Sequence, residues 1–292
     1  MPYLETVLTE HPRIHELHNV ERCAFVQVCG ANRLVPQYTY ASEGKLYIAE
    51  NIKDQWQLRE ETDAESTAKE LRLLVGDSPF SNASFNLLLT KPEAMALFAL
   101  LDHCRCQFLG ELLGAAQGNI AATPEEVADY VAQPLPDSLS QLFAMYAKNT
   151  NADYVAEGLA GLAEKSMCEL KNGQYVLRSD LVELARGLLT THGSALIQLW
   201  DGSGDSVRSL TGYALQGGMH NIIMTELYGG DTVGVRAMSP RELLGVFHYA
   251  LTCPELPGAK KEQVDTAPAF CRNCGAKLNP DSAFCGNCGA KV

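Results

Sequence analysis

The stretch Phe270-Cys271-Arg272-Asn273-Cys274-Gly275-Ala276-Lys277 returns almost unchanged as Phe284-Cys285-Gly286-Asn287-Cys288-Gly289-Ala290-Lys291. So short a segment cannot bury enough apolar surface to offset the entropy of ordering it, so it needs a cross-link. Two CxxC pairs supply one: each places two thiolates on a tight knuckle, and four thiolates complete a tetrahedral zinc site. Cys271, Cys274, Cys285 and Cys288 are therefore the candidate ligands of one structural zinc ion, with no open position for water. A redox dithiol pair and a disulfide cluster are the rival readings. Gly275 and Gly289 follow the pairs, where a positive φ brings backbone N–H groups toward the sulfurs. Asn279-Pro280-Asp281 reads as the turn between the knuckles.

This tail resembles the short zinc-ribbon domains appended to many bacterial and archaeal proteins, over residues 268–292. The resemblance implies an accessory module that binds zinc and says nothing of an activity. Ahead of a ribbon at 270–292, residues 254–269 are proline-rich, polar and poor in hydrophobes, as a flexible linker would be. Such a linker reaches about 20 Å.

The remaining 1–253 suffice for one large or two medium domains, and 46% hydrophobic residues imply a well-cored body. A formal net charge of −12 disfavours nucleic acid, whose affinity comes largely from Lys and Arg neutralising phosphates. Neither a signal-like N-terminus nor an apolar run of membrane-spanning length is present, which places the chain in the cytosol. Cys23, Cys29, Cys104, Cys106, Cys168 and Cys253 lie among apolar neighbours, as buried reduced thiols do.

Taken in order, residues 1–20 carry His11, His15 and His18, which one helix would place on one face. Pro12, Leu8 and Leu17 favour a plain amphipathic helix over a metal site. Residues 24–75 alternate like strands at 25–29, 35–40, 46–49 and 55–58, followed by a helix from Asp63 to Val75. The same order returns at 195–251: four strands, then a helix opened by Ser239-Pro240-Arg241-Glu242. Val26-Gln27-Val28 against Ile197-Gln198-Leu199 hints at a duplicated unit, with two unrelated meanders as the alternative.

Residues 84–190 read as a helical middle. Thr90-Lys91-Pro92-Glu93 opens a long apolar helix to about Leu113, and Thr123-Pro124-Glu125-Glu126 opens a second. Within 137–190 the order is helix, helix, hairpin across Lys171-Asn172-Gly173, helix, which is winged-helix-like. Its would-be recognition helix, 152–165, offers Asp153, Glu157 and Glu164 and no donor before Lys165, so a protein-binding or structural role fits it better than DNA.

Sought chemistry is absent from the pattern. Gly202-Ser203-Gly204 lacks the rest of a phosphate loop, no GxSxG elbow occurs, and the acids from Glu60 to Glu65 suit a helix start. His103-Cys104-Arg105-Cys106 diverges around its helix, and His192, His220 and His248 sit singly. No catalytic and no cofactor-binding residue is assigned.

The fold class that emerges is α+β: two antiparallel β-meanders with a helical, partly winged-helix-like middle, plus a C-terminal zinc ribbon. The 195–235 meander with its Ser239-Pro240-Arg241-Glu242 helix, and its counterpart at 24–75, resemble the EspG-type chaperones of type VII secretion. That resemblance implies a pseudo-duplicated fold of a central antiparallel sheet with helical bundles, and helical hairpins of secreted proteins as partners. The expected function is a non-catalytic cytosolic protein-binding adaptor or secretion-chaperone-like protein. A winged-helix and zinc-ribbon transcriptional regulator, and an enzyme with a dispersed site, are the alternatives. The ribbon reading predicts that serine at Cys271 and Cys274 abolishes zinc binding, measured by elemental analysis, and leaves the melting transition of 1–253 nearly unchanged. A collapse of that transition would instead make the ribbon integral to the body.

Overall fold

The computed structural model describes residues 4–30, 33–62, 64–115, 118–134, 138–144, 151–202, 207–218, 220–228 and 230–252. The chain divides into two compact units, Met1–Cys253 and Pro254–Val292. The linker and ribbon expectations, with Cys271, Cys274, Cys285 and Cys288, lie outside the described residues, as does Cys253.

The first meander comprises β1 (Val20–Gly30), β2 (Arg33–Ser42), β3 (Lys45–Ile52) and β4 (Gln55–Glu61). The second comprises β8 (Thr191–Asp201), β9 (Arg208–Gly217), β10 (Asn221–Leu227) and β11 (Thr232–Met238). Together with β5 (Phe85–Thr90) they form a single nine-stranded sheet in the order β4-β3-β2-β1-β8-β9-β10-β11-β5, and every adjacent pair is antiparallel. The ninth strand, β5, falls inside the stretch read as helical. Its six residues Phe85-Asn86-Leu87-Leu88-Leu89-Thr90 abut the strong cap of the next helix, and that cap masked a short strand.

The meanders meet where β1 pairs with β8, Val26 opposite Ile197. An approximate two-fold through that pair sets Ala24-Phe25-Val26-Gln27-Val28 over Ala195-Leu196-Ile197-Gln198-Leu199. Carried outward through the registers, it sets Tyr38 over Tyr213, Glu50 over Glu226 and Arg59 over Arg236. Each half thus closes the same cross-strand ion pair, Arg59–Glu50 at 3.4 Å and Arg236–Glu226 at 2.8 Å. The repeated unit ends in a helix both times. In the first half it is split into α2 (Ala64–Thr67) and α3 (Lys69–Val75), stopped by Gly76 at φ 76°; in the second it is α9 (Pro240–Thr252).

Alternation gives the sheet two faces. The back face, including Ala24, Val26, Ile48, Ala195, Ile197, Ile222 and Met224, packs under α3 and α9, which bury Leu71, Val75, Leu243, Leu244, Phe247 and Leu251. Amides from the sheet hold the split helix of the first half: Gln37 donates to the Thr67 carbonyl at the end of α2 at 2.7 Å, and Gln216 to that of Val75 at the end of α3 at 3.1 Å.

The front face is covered at both ends. Over β9, β10, β11 and β5 lies the helical middle, built on α4 (Lys91–Leu112), whose residues from Pro92 to Cys104 are all buried. Around it sit α5 (Pro124–Ala132), α6 (Leu139–Ala144), α7 (Ala152–Glu164) and α8 (Ser179–Gly187). The hairpin of β6 (Cys168–Lys171) and β7 (Gln174–Leu177) completes the winged-helix-like order, and Ala122 adds a bridge to Tyr175 that the sequence did not announce. Over β1 to β4 lies the N-terminal segment. The continuous helix expected there is replaced by α1 (Leu4–Val7) and a 3-10 turn at Ile14–Glu16, with Arg13 at φ 64° and Asn19 at φ 54° interrupting it. Leu4, Ile14 and Leu17 pack on Cys23, Tyr40 and Ala49.

Helices α4 and α7 touch where α7 has Gly158: a Cβ there would lie 2.2 Å from the Pro92 carbonyl oxygen and 3.0 Å from the Ala96 Cβ. Gly158→Ala must push the helices apart. It is expected to cost about 1–3 kcal/mol and to lower the melting temperature of the body by several degrees. Calorimetry showing an unchanged transition would contradict this packing.

Candidate binding face of the sheet

Between its two covered ends, the front face has a middle stripe. The registers align Phe25 and Gln27 of β1 with Gln198 and Leu196 of β8, and Leu196 in turn with Tyr213 of β9. All five are half-buried. Phe25 and Leu196 belong neither to the core cluster around α4 nor to the one under the N-terminal segment. Phe25 meets Tyr38 at a ring separation of 4.8 Å. The stripe is neutral, a row of aromatic, aliphatic and amide groups crossing the approximate two-fold.

At its β9 side the stripe runs into a shallow open cleft between the helical layer and the sheet. Phe98, Leu139 and Phe143 form the helical wall, and Tyr213, Leu215, Ile223 and Thr225 the floor. The wall is fixed by a buried carboxylate. Asp102 on α4 accepts hydrogen bonds from the backbone N–H groups of Leu139 and Ser140, at 3.1 and 2.8 Å, and from the Ser140 hydroxyl at 2.6 Å. Arg105 pairs with it at 2.7 Å. An anion at the N-terminus of α6 is stabilised by the orphan N–H groups and the helix dipole. Leu139 and Phe143 are positioned by this capping from a neighbouring helix, which a short polar stretch gave no means of foreseeing.

The other candidate groups are structural. His11 is packed between Tyr38 and Trp200, at ring separations of 5.0 and 4.7 Å, while His15 is exposed. His18 offers its carbonyl to Ser42. The three do not share a face, and no cluster of three metal-ligating side chains occurs among the described residues. His103 faces the Asn119 carbonyl at 2.9 Å, and His220 the Ser78 hydroxyl at 2.8 Å. Burial pushes the thiols of Cys104 and Cys168 up to about 12 and about 11, and that of Cys23 well above its usual value, so these three stay protonated. Cys29 departs from the expectation: it is exposed, at the end of β1, and Cys106 is half-buried. Helix α7 buries Val155, Leu159 and Leu162 and turns Asp153, Glu157 and Glu164 to solvent, while Lys165 at its end pairs with Glu93. Acids on the outer side of this helix repel phosphates.

Residues 270–292 match the family model of the zinc-ribbon domain. The four cysteines in that range are a donor set that suits tetrahedral zinc. Among solved structures, the chain is similar to the Mycobacterium tuberculosis type VII secretion system chaperone EspG5, determined in complex with a PE25-PPE41 dimer. The TM-score is 0.41 at 9% identity, over 82% of this chain and 74% of that one. No curated protein matches the sequence. No helix among the described residues is long and apolar enough to cross a membrane.

Removing the carboxylate of Asp102 leaves Arg105 and two N–H groups buried without their acceptor. Asp102→Ala is expected to cost about 3–5 kcal/mol, read from denaturant unfolding. A loss under 1 kcal/mol would show that α6 is seated by its apolar contacts alone.

Proposed function

We propose that the body of this chain is a non-catalytic adaptor or chaperone of the secretion-chaperone kind, which receives a segment of another protein on the front face of its sheet. The observation that carries the reading is the neutral stripe of Phe25, Gln27, Leu196, Gln198 and Tyr213, left between two cores and continuous with the Phe98–Phe143 cleft. Apolar and aromatic groups at the centre of a patch, with amides to satisfy polar atoms, are what protein recognition requires. A net charge of −12 and the acidic outer side of α7 count against nucleic acid as the partner. In this reading Cys271, Cys274, Cys285 and Cys288 hold one structural zinc ion. Residues 254–269 serve as a linker, the ribbon makes a second contact, and the protein works in the cytosol.

The test uses the full chain at native expression. A protein partner in stoichiometric amount is expected to copurify, and a photo-crosslinker replacing Leu196 is expected to trap it, while one replacing the exposed His248 is not. Leu196→Asp, with an unchanged circular dichroism spectrum, is expected to lose the partner. Recovery of no stoichiometric partner, or full retention by Leu196→Asp, would sink the proposal.

A further inference from the structure

The chain has two tryptophans, Trp56 and Trp200, and both pack on the small cluster beneath the N-terminal segment. That segment, residues 4–19, holds little regular structure: one turn of helix and one 3-10 turn. Beneath it lies an aromatic floor of Tyr38, Tyr40, Tyr47, Trp56 and Trp200. Few polar bonds fasten it. Tyr40 donates to the Pro12 carbonyl at 2.7 Å, Ser42 to that of His18 at 2.5 Å, the Asn19 amide donates to the Glu43 carboxylate at 2.9 Å, and the Glu5 carboxylate accepts from the N–H groups of Asn19 and Val20 at 2.7 and 2.8 Å. The remaining wedge is His11. Its ring sits edge-on to Trp200 and tilted against Tyr38, with Nδ1 3.5 Å from the Cys23 sulfur.

We propose that residues 4–19 are a strap released by protonation of His11, and that its release uncovers the aromatic floor beside the middle stripe. The groups around the imidazole are a thiol and phenols: Cys23 on β1, Tyr38 and Tyr40 on β2, with the Trp200 indole on β8. Glu21 on β1 is exposed. The strap's own ionisable groups besides His11 are Glu5, Glu10, Arg13, His15, Glu16 and the exposed His18, of which Arg13 and His15 pair with Glu16, and Glu5 is engaged by the backbone. A charge on the half-buried His11 would thus sit against rings and a thiol, with no carboxylate among its ring contacts.

Burial lowers the pKa of His11 from its ordinary 6.5, which fixes the sign. A depressed value in the docked state means that docking is at full strength above about 6.5 and weakens as the pH falls from there. Between the docked and released values the docking constant falls by up to about tenfold per pH unit.

The switch itself needs no partner; only its consequence rests on the front face being the binding face. Tryptophan fluorescence of the full chain is therefore measured between pH 7.5 and 5, with acrylamide as quencher and circular dichroism alongside. On acidification, the wild type is expected to show a red shift and greater quenching at constant secondary structure. His11→Phe, which keeps a ring in place without a titrating group, is expected to abolish the change, and His15→Gln to retain it. Protection factors across residues 4–19, which take account of the slower intrinsic amide exchange at low pH, are expected to fall over the same range. A flat wild-type profile, or an acid response that persists in His11→Phe, overturns the proposal. Loss of the Leu196 crosslink with the fluorescence switch intact would count against the binding reading alone.

Discussion

The pairing of β1 with β8 makes this body one molecule. Each meander alone would expose an edge strand rich in apolar side chains, and nine residues from Arg22 to Gly30 cover one edge with the other. The register is pinned by the side chains on both faces: a slip of one residue would turn Val26 and Ile197 to the front and Phe25 and Gln198 to the back. Everything on the front face inherits its position from this junction. The stripe is the junction's own surface, and the two cores that flank it are set apart by its width.

The halves are alike in strands and unlike in what covers them. A nearly complete helical domain caps one, with α4 buried almost all round, and sixteen loosely structured residues cap the other. The contrast is one of apolar area. Helix α4 contributes Met95, Leu97, Phe98, Leu100 and Leu101 at full burial, whereas the N-terminal segment has Leu4, Ile14 and Leu17. Local opening concentrates where few apolar contacts hold a segment, so the first-half cover is the weaker of the two.

Much of the architecture could be read from the sequence because its signals were local. The helix openings at Thr90, Thr123 and Ser239 were all foreseen, and each closes as a capping box, with Glu93, Glu126 and Glu242 respectively. So were the eight meander strands and the Asn172-Gly173 hairpin, whose alternation and turns lie within a few residues of one another. Long-range features were not legible. Strand β5 takes its pairing from β11, far along the chain, and Asp102 acts on a helix that begins at Leu139. The N-terminal segment fails as a helix because Tyr40, Ser42 and Glu5 satisfy its backbone from outside, a competition that helical spacing does not reveal. The stripe escaped notice for a related reason: Phe25, Leu196 and Tyr213 become neighbours only once the two meanders share a sheet.

Because the whole helical middle separates β1 from β8 in the sequence, the ribosome sets a delay between them. At about 5–20 residues per second, the first meander emerges on the order of ten seconds before its partner strand exists. During that interval β1 has β2 on one side and bare hydrogen-bonding groups on the other, along a run of Ala24, Val26 and Val28 meant for burial. A strand in that state is a template for any passing chain. The low-contact-order helices of the middle fold fast compared with synthesis, so the length of that interval is set by translation and not by them.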